Sequence, residues 1–350
     1  MGVSLATMKD VADRAGVSLS TVSYVLSGSR PISEPTRVLI LKAMEDLKFH
    51  PNAVARALAS KRTRVIGLLL TPRDRGLGLS DLEFVKGAAE AARSLDHHLV
   101  LLTEGMDSES ELSYLKAQGL LDGVILMEVH LDDARVAWLQ RLGLPFSILG
   151  RPDPSVNLSF ADIDFEQTVK DILEHLRGLG HQRIAFINQS RKAFDSGYGP
   201  AVRMQDAWNR QGSDAARALV SVFCGATPRD GWNACQNLFS VPEPPTALVV
   251  MNERGLPGVL QVLAALKLRV PEDVSVVAAV SSAPAAEMMI PALTSADAPS
   301  LQLVRLAVSN LVKTIEDPKV ALENVLLPCR LSVRASTCPP LPFDSSRKEP

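Results

Sequence analysis

The residues with the clearest chemical purpose lie near the start of the chain. Between Met8 and Leu26 (MKDVADRAGVSLSTVSYVL), Ala12 and Gly16 stand where two short helices would touch and turn. Val11, Val17, Val22 and Val25 are spaced to close a miniature core between them. Gly suits the turn because a positive φ is cheap only without a Cβ. The pattern is that of a helix-turn-helix, a device for laying one helix in the major groove of DNA. A plain helical hairpin has the same spacing, and charge separates the two readings. Residues 1–64 carry ten Lys or Arg against five acids, a local charge of +5, whereas the remainder sums to −7. A basic head on an acidic body is the footprint of a polyanion-binding module.

Catalytic and metal chemistry find no comparable pattern. The sequence has no phosphate-cradling loop of the Gly-x-x-x-x-Gly-Lys type, no His-Glu-x-x-His and no Gly-x-Ser-x-Gly. Its six histidines have no metal-ligand spacing, and Cys224, Cys235, Cys329 and Cys338 form no CxxC pair. The expectation is a protein with no metal, no cofactor and no enzymatic activity, whose cysteines are packed thiols. Asp162 and Asp164 flank a predicted strand and read as solvated or structural acids. His181, after Gly180, reads as a capping or packing residue.

The elements that position these residues follow from periodicity. Apolar residues at Met8, Val11, Ala12 and Ala15 predict a first helix, with Thr7 as N-cap. Ser18 caps a second helix and Ser33 a third, which carries Val38, Leu41, Met44 and Leu47. Asn52–Ser60 is a short Ala-rich helical segment, and Lys61–Arg64 a basic linker. From Val65 onward, apolar runs of strand length alternate with helical patterns, which implies βαβ units and parallel sheets. The rhythm restarts after Asp164, so two successive α/β lobes are expected, with a ligand cleft between them at the carboxyl ends of the strands.

The 350 residues are 46% hydrophobic and 22% charged, which excludes wholesale disorder and a small disulfide scaffold. No uncharged apolar run reaches 18 residues, and no basic segment followed by an apolar core opens the chain. The expected location is the cytoplasm, away from membranes.

The segment 8–26 resembles the head of the lactose/galactose-repressor family. The likeness continues through ISEPTR (32–37) and HPNAVARAL (50–58), then RVIGL (64–68), DGVI (122–125), GHQRI (180–184) and VPEDVSVV (270–277). It implies an α/β fold class with an N-terminal all-α helix-turn-helix head. The core would be two-lobed, of doubly wound parallel sheets, resembling periplasmic sugar-binding proteins. The implied domains are a DNA-binding head at 1–50, a hinge helix and linker at 51–63, an effector-binding and dimerisation core at 64–340, and a disordered tail at 341–350. The implied function is a sequence-specific transcriptional regulator, expected to be a repressor, binding a near-palindromic double-stranded operator as a homodimer.

The resemblance also assigns roles. The second helix would enter the major groove, with Leu19, Ser20 and Tyr24 facing base edges: Leu19 on a thymine methyl, Ser20 through a hydrogen bond, and Tyr24 by hydrogen bonding or stacking. Many relatives carry Arg where this chain has Tyr24, and Tyr lacks the bidentate donor that pairs with guanine. Thr7, Ser18, Thr21, Ser23, Ser33 and Asn52 would bond phosphates. In the hinge, Arg56 would add charge at the minor groove, and Leu58 would wedge between central base pairs and kink the duplex.

In the core, Arg151, Asn252 and Glu253 are the candidate effector contacts. The usual sugar-gripping carboxylate falls at Val280 and the usual effector-binding Arg near Pro200, so an effector, if bound, is unusual for the family. Two alternatives remain open from sequence. A solute-binding protein without DNA function would share the lobes but leave residues 1–60 unexplained, and an α/β enzyme would lack a nucleophile.

Overall fold

The computed structural model describes residues 6–27, 30–49, 62–71, 76–103, 105–153, 158–212, 219–321 and 324–341. Two compact units make it up, one built from Met1–Val65 with Ser113–Asp122 and the other from Ile66–Leu112 with Gly123–Pro350.

The first unit contains α1 (Met8–Ala15), α2 (Leu19–Ser27) and α3 (Glu34–Asp46). Helix α1 opens with a capping box: Asp10 N donates to Thr7 Oγ1 and Thr7 N donates to Asp10 Oδ2. The Thr7 hydroxyl, which donates to Asp10 Oδ2 at 2.7 Å, and the Thr7 amide hold the Asp10 carboxyl below its ordinary range. The helix ends at Gly16, whose φ of 64° and ψ of 34° make it the left-handed cap that the sequence pattern demanded. Thr21 N closes the first turn of α2 on Ser18 Oγ at 3.1 Å. Ser33 precedes α3 but makes no side-chain cap; its hydroxyl pairs with Thr36 Oγ1 at 2.7 Å instead. Val11, Ala12, Val22, Ile40 and Ala43 are buried together as the core of the head, flanked by Val17 and Val25. The linker end is ordered by one carboxylate, because Asp122 accepts from the Thr63 and Arg64 amides, each at 2.7 Å.

The second unit holds two six-stranded sheets. The first comprises β1 (Val65–Leu69), β2 (His98–Leu102), β3 (Gly123–Leu126), β4 (Phe146–Leu149), β5 (Phe160–Ile163) and β11 (Val325–Leu327), in the order β11-β5-β4-β3-β1-β2. The second comprises β6 (Ile184–Asn188), β7 (Leu219–Phe223), β8 (Ala247–Val250), β9 (Ser275–Ser281), β10 (Thr294–Asp297) and β12 (Arg330–Ser332), in the order β12-β10-β9-β8-β6-β7. Parallel pairing dominates, as continuous apolar strands such as Gly123–Leu126 require when both faces are covered. Strands β10 and β12 pair antiparallel.

The helices of the first sheet are α4 (Leu79–Ser94), α5 (Glu109–Ala117) and α6 (Ala134–Leu142). Those that follow are α7 (Phe165–Gly178), α8 (Arg191–Asp195), α9 (Gly199–Gln211), α10 (Pro228–Phe239), α11 (Leu256–Ala265), α12 (Ala283–Glu287) and α13 (Ser300–Glu316). The lobes are not successive, contrary to the sequence expectation. Helix α13 leaves the second sheet, buries Leu303, Val304, Ala307, Val308 and Leu311 against α4 and strands β3 to β5, and leads to β11. The chain then returns to the second sheet at β12. Local periodicity reports that α13 is amphipathic but not which sheet its apolar face meets. Among the described residues, no helix is long and apolar enough to cross a membrane.

Candidate functional site

In the head, α2 turns its packing residue Val22 inward and leaves Leu19 half-exposed and Ser20 exposed. Ser23 and Tyr24 are partly exposed one turn on. Several of the predicted phosphate-binding hydroxyls already have protein partners: Thr7 in its capping box, Ser18 with Ser20 and Thr21, and Ser33 with Thr36. A hydroxyl both donates and accepts, so these contacts orient it and leave capacity for a phosphate oxygen. One residue had escaped sequence reasoning. The Arg30 guanidinium lies 5.3 Å from the centroid of the Tyr24 ring, a cation–π contact that sets a positive charge beside the second helix. Only the fold brings these two side chains together. Asn52, Arg56 and Leu58 lie outside the described residues.

In the core, the carboxyl ends of the strands converge on a cavity of about 110 Å³. Met127, Leu149, Asp162 and Ile163 come from the first lobe, and Gln189, Met251 and Val280 from the second. Arg135, itself buried, fixes the first-lobe rim. It donates to Thr71 Oγ1, to the Met127 and Glu128 carbonyls and to Asp133 at 2.7 Å. Burial pushes the Asp133 carboxyl up, but the hydrogen bond and charge of Arg135 outweigh it and hold that carboxyl below its ordinary range.

The candidate effector residues separate in role. Asn252 is buried at the wall with its amide committed: Nδ2 donates to the Cys224 and Gly225 carbonyls, and Oδ1 accepts from Gly255 N. Glu253 also lines the cavity, but its carboxylate reaches the first lobe, where it accepts from Leu79 N at 2.9 Å and from the Ser80 amide and hydroxyl. It thus caps α4 from a position 174 residues away in sequence. Beside it, Arg254 Nη1 donates to Leu77 O at 3.0 Å, and Tyr198 OH donates to Glu128 Oε1 at 3.0 Å. The two lobes are therefore laced together across the cavity by the protein's own groups.

Arg151 is partly exposed, 5.6 Å from the Phe160 ring and 3.6 Å from Asp162. Of the two sequence readings for Asp162, solvated or structural, its burial excludes the first. It is buried, and desolvation pushes its carboxyl up to about 6. Arg203, the Ile163 amide and Arg151 pull in the opposite direction, and Asp164 adds to the rise. Asp164 is structural as read, capping α7 through Gln167 N. His181 is buried with Nδ1 2.9 Å from Thr246 Oγ1 and Nε2 3.0 Å from Ser275 Oγ. The cysteines are thiols, and burial pushes Cys224, Cys235 and Cys329 to about 12, so none of these three is a nucleophile near neutral pH.

Comparison with known proteins agrees at both ends of the chain. Residues 7–52 match the family model described as bacterial regulatory proteins, lacI family, and residues 173–337 match a periplasmic binding protein-like domain. The transcriptional regulator CelR of Thermobifida fusca is 31% identical, over 92% of this chain and 96% of its own. Catabolite control protein A of Priestia megaterium is 28% identical, over 95% and 99%. Among solved structures, a lac repressor dimer bound to operator and the anti-inducer ONPF superposes with a TM-score of 0.76, at 25% identity over 95% of this chain and 99% of that one. A CelR–cellobiose complex gives 0.69 at 28% identity, over the same shares.

Proposed function

The chain belongs to the lacI family of bacterial regulatory proteins and is a DNA-binding transcriptional regulator, and from that premise we propose that it is a repressor that grips a near-palindromic operator as a homodimer. The observation that carries this reading is the head itself. Its packed core presents Leu19, Ser20 and the Tyr24–Arg30 pair on one helix and the loop after it.

Leu19 meets a thymine methyl, Ser20 bonds a base edge, and Tyr24 with Arg30 reads the next position. Thr7, Ser18, Thr21, Ser23, Ser33 and Asn52 bond phosphates and set the register. Arg56 and Leu58 act at the minor groove, with Leu58 as the wedge. The domain division follows: head 1–50, hinge and linker 51–63, core 64–340.

A two-fold operator calls for a two-fold protein. Strand β2 is at a sheet edge and exposes Val100 and Leu101, and the neighbouring helix α4 exposes Leu82. Exposed apolar side chains on an unpaired edge suit a second copy of the chain. The protein acts where its DNA is, in the cytoplasm, and no reaction is assigned to the cleft. A small effector between the lobes modulates the grip by changing how they close. Arg151 contacts it, while Asn252 and Glu253 shape the wall with their polar ends turned to the protein.

Selection of bound duplexes from a random pool tests the reading. Enrichment of a palindrome by the full chain, with affinity that falls steeply with salt, is the expected result. Equal affinity for every duplex at fixed salt refutes it.

A further inference from the structure

Five buried polar side-chain atoms among the described residues lack a hydrogen-bond partner, and two of them belong to one ion pair beside the cavity. Asp162 Oδ1 accepts from Ile163 N at 2.8 Å, but Oδ2 has no hydrogen-bond partner. Arg151 Nε, 3.6 Å from that oxygen, has none either. Asp162 is only 5% exposed and lines the cavity. Such atoms are uncommon in native interiors, and each calls for a reason.

Apolar side chains, among them Phe84, Met127, Leu149, Phe165, Met251 and Val280, make up much of the wall, with polar residues such as Gln189 and Glu253 between them. Val280 has a φ of 52°, a left-handed conformation that a β-branched residue adopts only against strain. The fold thus holds an isopropyl group where the family resemblance expects a sugar-gripping carboxylate. Three of the other polar side chains at the wall are committed to the protein: Asn252 to the Cys224 and Gly225 carbonyls, Glu253 to Ser80, and Glu128 to Tyr198.

We propose that this cavity takes a small, mainly apolar, ring-sized molecule carrying one neutral hydroxyl, whose O–H donates to Asp162 Oδ2 and whose oxygen accepts from Arg151 Nε. The inference rests on reading the cleft as the effector site and names the chemistry of its ligand. A hydroxyl is singled out because one oxygen satisfies both orphaned atoms. An ammonium cannot accept from Arg151 and would stand beside the positive charges of Arg151 and Arg203. A carboxylate would face Asp162. A polyol brings several hydroxyls to a wall whose Asn252, Glu253 and Glu128 side chains are already engaged, and each hydroxyl buried unpaired weakens binding. Size agrees: about 110 Å³ is near the ~150 Å³ cavity known to hold one benzene and well below the ~300 Å³ of typical ligand sites.

Calorimetric titration of the full chain with phenol, benzene and glucose tests the proposal. Phenol binds at least about tenfold more tightly than benzene, the worth of a hydrogen bond to a charged acceptor, and glucose gives no heat. Asp162→Ala narrows the preference for phenol over benzene, leaving only the hydrogen bond from Arg151 Nε. Val280→Ala, which leaves Asp162 in place, raises the affinity for 4-methylphenol relative to phenol by enlarging the apolar wall. Equal binding of phenol and benzene by the unaltered chain overturns the proposal, since a water molecule would then satisfy Asp162. Tighter binding of glucose, or no binding of any probe, overturns it as well. Failure of the DNA reading is distinguishable, because it leaves phenol binding intact while the duplex selection shows no preference.

Discussion

Asp162→Asn is expected to stabilise the protein near neutral pH and to lose that advantage in acid. In the folded chain, burial raises the Asp162 carboxyl to about 6, despite the opposing pull of Arg203, the Ile163 amide and Arg151, whereas an ordinary aspartate titrates at 3.8. The native state therefore binds this proton more tightly than the unfolded state does. Between about pH 4 and 6 the folded form carries the greater share of protons, so stability falls as pH rises through that window. Above pH 6 the full cost of burying the charge is present. A shift of about two units corresponds to roughly 3 kcal/mol, and near-complete burial leaves little solvent screening to discount it. Asparagine keeps the shape and the acceptor for Ile163 N but cannot ionise.

Thermal unfolding of both proteins at pH 4, 5, 6 and 7.5 provides the measurement. At roughly 2 °C per kcal/mol for a chain of this size, the variant should melt about 6 °C above the parent at pH 7.5, relative to their difference at pH 4. Groups such as Asp133 titrate alike in both proteins and cancel in the difference. A melting difference that stays constant across the series refutes the argument that Asp162 is held ionised at a cost.

Other expectations follow from close packing, the turn and the DNA-reading surface. Helices α10 and α11 meet at glycines, and a Cβ on Gly258 would lie 1.7 Å from Pro228 O, so Gly258→Ala should cost about 3 kcal/mol or more in urea unfolding. Gly16→Ala forces a side chain into the left-handed cap and should destabilise the head by about 1–2 kcal/mol, with an open neighbourhood that excludes a steric cause. Tyr24→Ala should change the preferred base at one position per half-site, as read by repeating the duplex selection; a uniform loss of affinity would contradict a role in base reading. Leu58→Ala should reduce the operator bend seen by gel mobility of permuted fragments, and an unchanged bend would dismiss the wedge.

Much of the architecture was legible without coordinates because its signals are local. The helix-turn-helix rests on Val11, Ala12, Gly16 and Val22, whose spacing within fifteen residues reports both the helices and the turn. Alternating apolar runs and amphipathic stretches mark strands and helices for the same reason: each pattern is written in one segment and read against the 2.0- and 3.6-residue periods. The site was legible only in part. Asn252 and Glu253 line the cavity and Arg151 lies 3.6 Å from Asp162, which also lines it, but sequence could not show that Asn252 is engaged with its own loop or that Glu253 caps a helix of the opposite lobe.

Sequence by itself determined the local elements, the basic head and the motif order that places the chain in its family. Tertiary structure alone decided that α13 returns to the first sheet, that Arg30 stacks on Tyr24, and that Asp162 is buried with one oxygen lacking a hydrogen bond. The physical reason is range. Periodicity and turn chemistry act between residues a few positions apart, whereas desolvation and hydrogen-bond satisfaction depend on which distant segments the fold packs around an atom.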